Sequence, residues 1–125
     1  MISTDKVLFS LQMAEESFQE VQLLLKDGKT RSLLNSLYNV YYYGMEAILL
    51  NQDISCRKHD EVKKTFIEKL LRTGILPLSW EKEIETIFKM KDENEKGVLP
   101  AEREIGRLIQ AGDSFLKSVK GHLLV

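Results

Sequence analysis

"YNVYYYGMEAILLN", Tyr38 to Asn51, contains every tyrosine of the chain: Tyr38, Tyr41, Tyr42 and Tyr43. Aromatic and β-branched residues favour strands, so "YNVYYY" read locally is a strand. The wider pattern overrides this. Leu34, Tyr38, Tyr41, Met45 and Ile48 recur at helical spacing, and Leu33, Leu37, Val40, Gly44 and Ala47 form a second stripe beside them. Two adjacent apolar stripes predict a helix, from about Thr30 to Asn51, that is buried on most of its girth. Gly44 in mid-helix costs about 1 kcal/mol relative to alanine, which points to a close approach of another helix.

The same period extends on both sides. Val7, Leu11, Ala14, Phe18, Val21 and Leu25 mark a first helix from about Thr4 to Lys26, with Leu8 and Leu24 widening its stripe. Ser3 or Thr4 suits its start, and "DGK" at Asp27 to Lys29 supplies a glycine stop. After the polar connection "QDISCRKHD", a third helix is predicted from about Lys58 to Arg72. Val62, Phe66, Ile67 and Leu70 face inward. "RTGILPLSW" breaks it with Gly74 and Pro77, and Ser79 is a candidate N-cap with Glu81 and Glu83 in the first turn. A fourth helix then runs from about Ser79 to Glu95 with Trp80, Ile84, Ile87, Phe88 and Lys91. Pro100 suits the entry to a fifth, about Ala101 to Gly121, carrying Ile105, Leu108, Ile109, Gly112, Phe115, Leu116 and Val119. The expected fold is all-α: an antiparallel up-and-down four-helix bundle with a short fifth helix, in one domain spanning 1–125.

Composition supports this and narrows the function. A 125-residue chain that is 43% hydrophobic and 30% charged can bury a core without metal or disulfide. Only seven glycines and two prolines leave room for few turns, hence long elements. Eighteen basic and nineteen acidic residues give a net charge of −1, so overall charge makes no case for nucleic acid or an anionic membrane. Cys56 is the single cysteine, which excludes an internal disulfide and fits a reducing compartment. The N-terminus is interrupted by Asp5, Glu15 and Glu16 and reads neither as a signal peptide nor as a membrane span. A cytoplasmic location is expected.

Motifs for strong chemistry are absent from the sequence. His59 and His122 lack partners at zinc spacing, and Cys56 has no histidine placed for a nucleophilic pair. Phosphate-cradling glycine loops are missing too, so no cofactor is implied. The carboxylates around Glu15, Glu83 and Glu93 read as solvated helix faces with lysine partners. Arg57, Lys58, His59, Lys63 and Lys64 form the best candidate phosphate or RNA contact, diluted by Asp60, Glu61 and Glu68. Base stacking would need exposed tyrosines, but helix geometry spreads 38, 41, 42 and 43 around the axis. They are expected in the core, each hydroxyl reaching a partner at the rim, with Tyr43 the most outward.

Read in order, "AEESFQEVQLLLKDGKTRSLLNSLYNVYYYGMEAILL", "RKHDEVKKTFIEKLLRTGILP", "IETIFKMKDENEKG" and "AEREIGRLIQAGDSFLKSV" resemble the HEPN-domain family, in its branch of stand-alone archaeal and bacterial proteins. The resemblance covers most of the chain. Asn35 and Tyr38 match the family's aromatic core helix, while Ser36, Asn39 and Tyr43 stand where it has arginine, tyrosine and histidine. His59, Phe66, Thr73, Gly74, Leu76 and Pro77 match the next block.

The resemblance implies a bundle that is usually dimeric. It also implies, in many members, a metal-independent ribonuclease, often a toxin paired with a minimal nucleotidyltransferase antitoxin. In those members an arginine stabilises the phosphorane charge, and a histidine four to six residues later acts as acid or base to the 2′-hydroxyl. Here the arginine position is Lys91, and Asp92 to Gly97 contain no histidine. Lysine keeps the charge but loses the bidentate fork. Lys91, Asn94 and Glu95 mark this degenerate motif. No ribonuclease activity by the family mechanism is expected. The leading expectation is therefore a homodimeric binding or interaction protein, working with a nucleotidyltransferase-type partner or binding RNA or a nucleotide. Tyr43 and Lys91 are its candidate interface residues. The alternative is an active ribonuclease toxin that uses unconventional residues.

Overall fold

A computed structural model describes residues 4–123, with His59 described for its backbone only. Five α-helices follow in order: α1 (Thr4–Lys26), α2 (Thr30–Asn51), α3 (His59–Phe66), α4 (Trp80–Glu95) and α5 (Glu102–Leu123). No strand occurs among the described residues. The long helices form the up-and-down bundle and α3 is the short extra element. The alternative cap Ser3 lies outside the described residues.

α2 is the axis of the fold and packs against each of the other four helices. Both its apolar stripes are buried: Leu34, Tyr38, Tyr41, Met45 and Ile48 on one side, Leu33, Leu37, Val40, Gly44 and Ala47 on the other. Each large side chain so buried stabilises by roughly 1.5–3 kcal/mol relative to exposure. That is why packing prevails over the strand propensity of "YNVYYY".

α1 lies along α2 through Val7, Ser10, Leu11, Ala14, Ser17 and Val21. Several of these are small, which lets the two backbones run close. Serine hydroxyls donate to carboxylates across the seam: Ser10 to Glu46 at 2.7 Å from α1, and Ser36 to Glu20 at 3.0 Å from α2. The outer members of the expected stripe differ, since Leu8 and Leu25 are exposed. The α1–α2 turn closes as the glycine stop requires. Gly28 has φ +71°, and Lys29 N–H reaches Leu24 C=O at 3.0 Å, a Schellman-type termination.

Two local expectations are corrected. The third helix does not stay α-helical to Arg72, because Ile67–Leu71 form a π-helical turn in which Arg72 N–H donates to Ile67 C=O at 2.9 Å. The widened turn buries Ile67, Leu70 and Leu71 together with Phe66. Ser79 precedes α4 but does not cap it: its backbone is already helical (φ −58°, ψ −21°) and its side chain makes no capping bond. The entry is instead a tight turn, with Trp80 N–H on Pro77 C=O and Glu81 N–H on Leu78 C=O.

Candidate functional site

A groove of about 450 Å³ runs between α3 and α4 over the face of Tyr38. Its floor is aromatic: Tyr38 and Phe88 meet edge to face, with ring centroids 5.0 Å apart. A lysine sits over each ring. Lys63 of α3 lies 5.1 Å from the Phe88 centroid, and Lys91 of α4 lies 4.8 Å from that of Tyr38. Such cation–π contacts contribute roughly 0.5–1 kcal/mol at exposed sites.

Each ammonium also has a carboxylate. Lys63 pairs with Glu85 at 3.2 Å and Lys91 with Glu95 at 2.8 Å. The hydrogen bond to Glu95 is the main reason the Lys91 ammonium is held more firmly protonated than usual, and the same bond lowers the Glu95 carboxyl. Burial raises the Tyr38 hydroxyl, opposed by the charge of Lys91. Asp60, Asp92 and Lys89 complete the rim. With Glu95, three lysines and four carboxylates stand at the groove, a formal charge of −1.

Asn94 faces away from this groove. It is buried at 2% exposure, where its amide donates to Arg31 C=O at 3.1 Å and to Asn35 Oδ1 at 3.3 Å. Arg31 returns a bond from its guanidinium to Asn94 C=O at 3.2 Å. This reciprocal tie fastens the end of α4 to the start of α2. Lys91, Asn94 and Glu95 thus divide between two jobs, an ion pair at the groove and a clamp between helices.

The basic stretch also divides. Arg57 and Lys58 are exposed in the connection before α3, where Arg57 N–H donates to Glu61 at 3.3 Å. Lys63 joins the groove. Lys64, one residue on, lines a neighbouring hollow with Arg72 and Glu68, of which Lys63 and Glu85 form the shared wall. The side chain of His59 lies outside the described residues.

The tyrosines pack largely as expected. Tyr38, Tyr41 and Tyr42 are buried, while Tyr43 is half-buried with its ring edge to face with Tyr42 at 5.2 Å. Tyr42 donates to Glu46 at 3.2 Å. Tyr41 departs from the expectation that each hydroxyl finds a rim partner, because its hydroxyl is buried with no hydrogen bond among the described residues.

Sequence reasoning missed two features. One is that Lys63 and Lys91 share a groove. The other is that Arg31 and Asn35 hold Asn94. The only signal in the sequence for either was the i,i+4 spacing of Lys91 and Glu95. Among the described residues, no group of three or more His, Cys, Asp or Glu side chains could hold a metal ion, and no helix is long and apolar enough to cross a membrane.

A family model described as "HEPN domain" matches residues 7–121. A relative from Thermotoga maritima, described as a UPF0332 protein, is 26% identical over 109 residues, covering 86% of this chain and 83% of the relative.

Proposed function

The chain belongs to the HEPN domain family, and we propose that it acts there as a non-hydrolytic, homodimeric interaction module. Lys91 carries this reading. It stands where ribonucleolytic relatives have their arginine, yet its ammonium is already engaged by Glu95 at 2.8 Å and by the Tyr38 ring. A nucleophilic 2′-hydroxyl needs a base, and a departing oxygen needs an acid. The residues after Lys91 supply carboxylates that repel phosphate, and Asn94 is occupied in the clamp to α2.

As a module, the protein works with a nucleotidyltransferase-type partner or holds RNA or a nucleotide. What favours RNA or a nucleotide in the α3–α4 groove is its lysines, Lys63 and Lys91, which stand over its aromatic floor. Tyr43 and Lys91 are the residues we assign to contact between subunits.

Incubation with unstructured RNA in excess chelator is the direct test. No cleavage above buffer is expected. Metal-independent cleavage that disappears in Lys91→Ala would overturn the reading in favour of a ribonuclease toxin. If RNA is the ligand, Lys63→Glu combined with Lys64→Glu weakens binding at least tenfold, and the affinity falls steeply with salt. Light scattering after gel filtration at micromolar concentration should return twice the 14.4 kDa chain mass. A monomer would remove the homodimer.

A further inference from the structure

A second cleft, of about 360 Å³, opens on another side of the bundle. It lies between the start of α1, the end of α2 and the connection into α3, and its volume is in the range of small-molecule sites. Nothing about it depends on the reading of the α3–α4 groove. Its walls are mostly apolar, with Phe9 on one side and Leu49, Leu50, Ile54 and Val62 on the other. Two carboxylates, Asp5 and Glu46, and one lysine, Lys6, also line it.

Two neutral hydroxyls hold the Glu46 carboxylate in place. Ser10 donates to Oε1 at 2.7 Å and Tyr42 donates to Oε2 at 3.2 Å. Burial, with the adjacent Glu46 charge, raises the Tyr42 hydroxyl, so it stays protonated and remains a donor. Glu46 has no ion pair among the described residues. A carboxylate offers about four acceptor positions, so two hydroxyls leave capacity over. Asp5 and Lys6 carry opposite formal charges, which leaves the Glu46 charge over. The cleft therefore presents a held carboxylate beside apolar walls. An anion would meet repulsion there, and a neutral apolar molecule would leave the acceptors unused. A cation with an apolar stem satisfies both parts, because charge attraction strengthens where water is displaced.

We propose that this cleft binds a protonated alkylamine, with its ammonium on the Glu46 carboxylate and its chain against Leu49, Leu50 and Ile54. The amine belongs either to a free small molecule or to a lysine side chain of a partner protein. Both present the same chemistry to the cleft.

Cys56 provides a local reporter. It is the single cysteine of the chain, half-buried, and lines this cleft. Its alkylation rate can be followed at constant pH against hexylammonium, hexanol and hexanoate. Saturable protection by hexylammonium is expected, with hexanol and hexanoate at least tenfold weaker. Glu46→Gln should weaken protection at least tenfold while its Cys56, with no ligand present, reacts at the wild-type rate. If that variant does not fold, Ile54→Trp, which adds bulk to the apolar wall, should abolish protection instead. Absence of saturable protection, equal protection by hexanol, or wild-type affinity in either folded variant would overturn the proposal. An Nα-acetyl-lysine methylamide that protects more strongly than hexylammonium assigns the amine to a partner's lysine. The reverse order assigns it to a free small molecule.

Discussion

Phe115 is where single residues matter most. Its ring stacks on Tyr41 at 4.6 Å and takes the edge of Trp80 at 5.1 Å. A Cβ added at Gly44 would come within 2.6 Å of it. A ring held on two sides cannot retreat, and overpacking of this kind costs about 1–3 kcal/mol. The better helix propensity of alanine offsets up to about 1 kcal/mol. Gly44→Ala should therefore lower stability by roughly 1–2 kcal/mol, read from the urea midpoint. At Gly112 the nearest atom is Leu37 Cδ1 at 2.9 Å, the end of a flexible side chain. Gly112→Ala should stay within about 1 kcal/mol of wild type, since a small rotation relieves the contact and the propensity gain remains. Equal losses at the two glycines would show that Phe115 is not the constraint. The sequence already marked Gly44 as a point of close approach, but nothing in it marked Phe115 as the neighbour. The hydroxyls follow the same division. Period placed Tyr41 in the core, yet whether its hydroxyl would find a partner depended on other helices.

At the scale of the element, the last turns of α4 show why a motif read along the chain can split in space. Successive helical residues are 100° apart, so positions 94 and 95 fall on opposite sides of position 91. Glu95 stays with Lys91 at the groove, while Asn94 turns to α2. Asn94→Ala should cost about 1–2 kcal/mol, because it removes the two hydrogen bonds its amide donates at a buried junction. Lys91→Ala should cost less than about 1 kcal/mol, since it removes one partly exposed ion pair and one cation–π contact. Chemical denaturation of the two variants checks the order, and a larger loss at Lys91 would contradict the clamp. The same 100° step keeps Lys64 out of the groove that Lys63 lines. The π turn at Ile67–Leu71 is an element-scale outcome too. "FIEKLL" has an acceptable α-helical pattern, and the extra residue in the turn is accommodated because it lets Ile67, Leu70 and Leu71 all reach the core.

The whole molecule carries its tyrosines in its central helix, and this has a consequence at high pH. Burial raises the Tyr41 hydroxyl first, with Glu83 adding to it, and Tyr42 and Tyr38 are raised as well. The unfolded chain begins to lose these protons near pH 10, while the folded chain retains them. Stability from this source is fully present below about pH 10 and is lost as pH rises beyond it. The slope approaches about 1.4 kcal/mol per pH unit for Tyr41 alone. Urea midpoints taken from pH 8 to 11 should fall above pH 10, and Tyr41→Phe should flatten the fall. At neutral pH that variant should be neutral or more stable by about 1 kcal/mol, since the hydroxyl it removes is buried without a partner. An unchanged high-pH slope in Tyr41→Phe would place the alkaline loss elsewhere. The all-α fold, the helix order, the extent of α2 and the burial of both its stripes were decided by the sequence alone. Apolar periodicity is a property of one helix and needs no knowledge of its neighbours. Tertiary structure alone decided that Lys63 meets Lys91 across an aromatic floor, that Asn94 clamps α2, that Ser10 and Tyr42 fix Glu46 in a cleft, and that the Tyr41 hydroxyl has no hydrogen bond among the described residues. Those meetings depend on how far each helix slides and turns against the next, which is set by packing between side chains far apart in the chain.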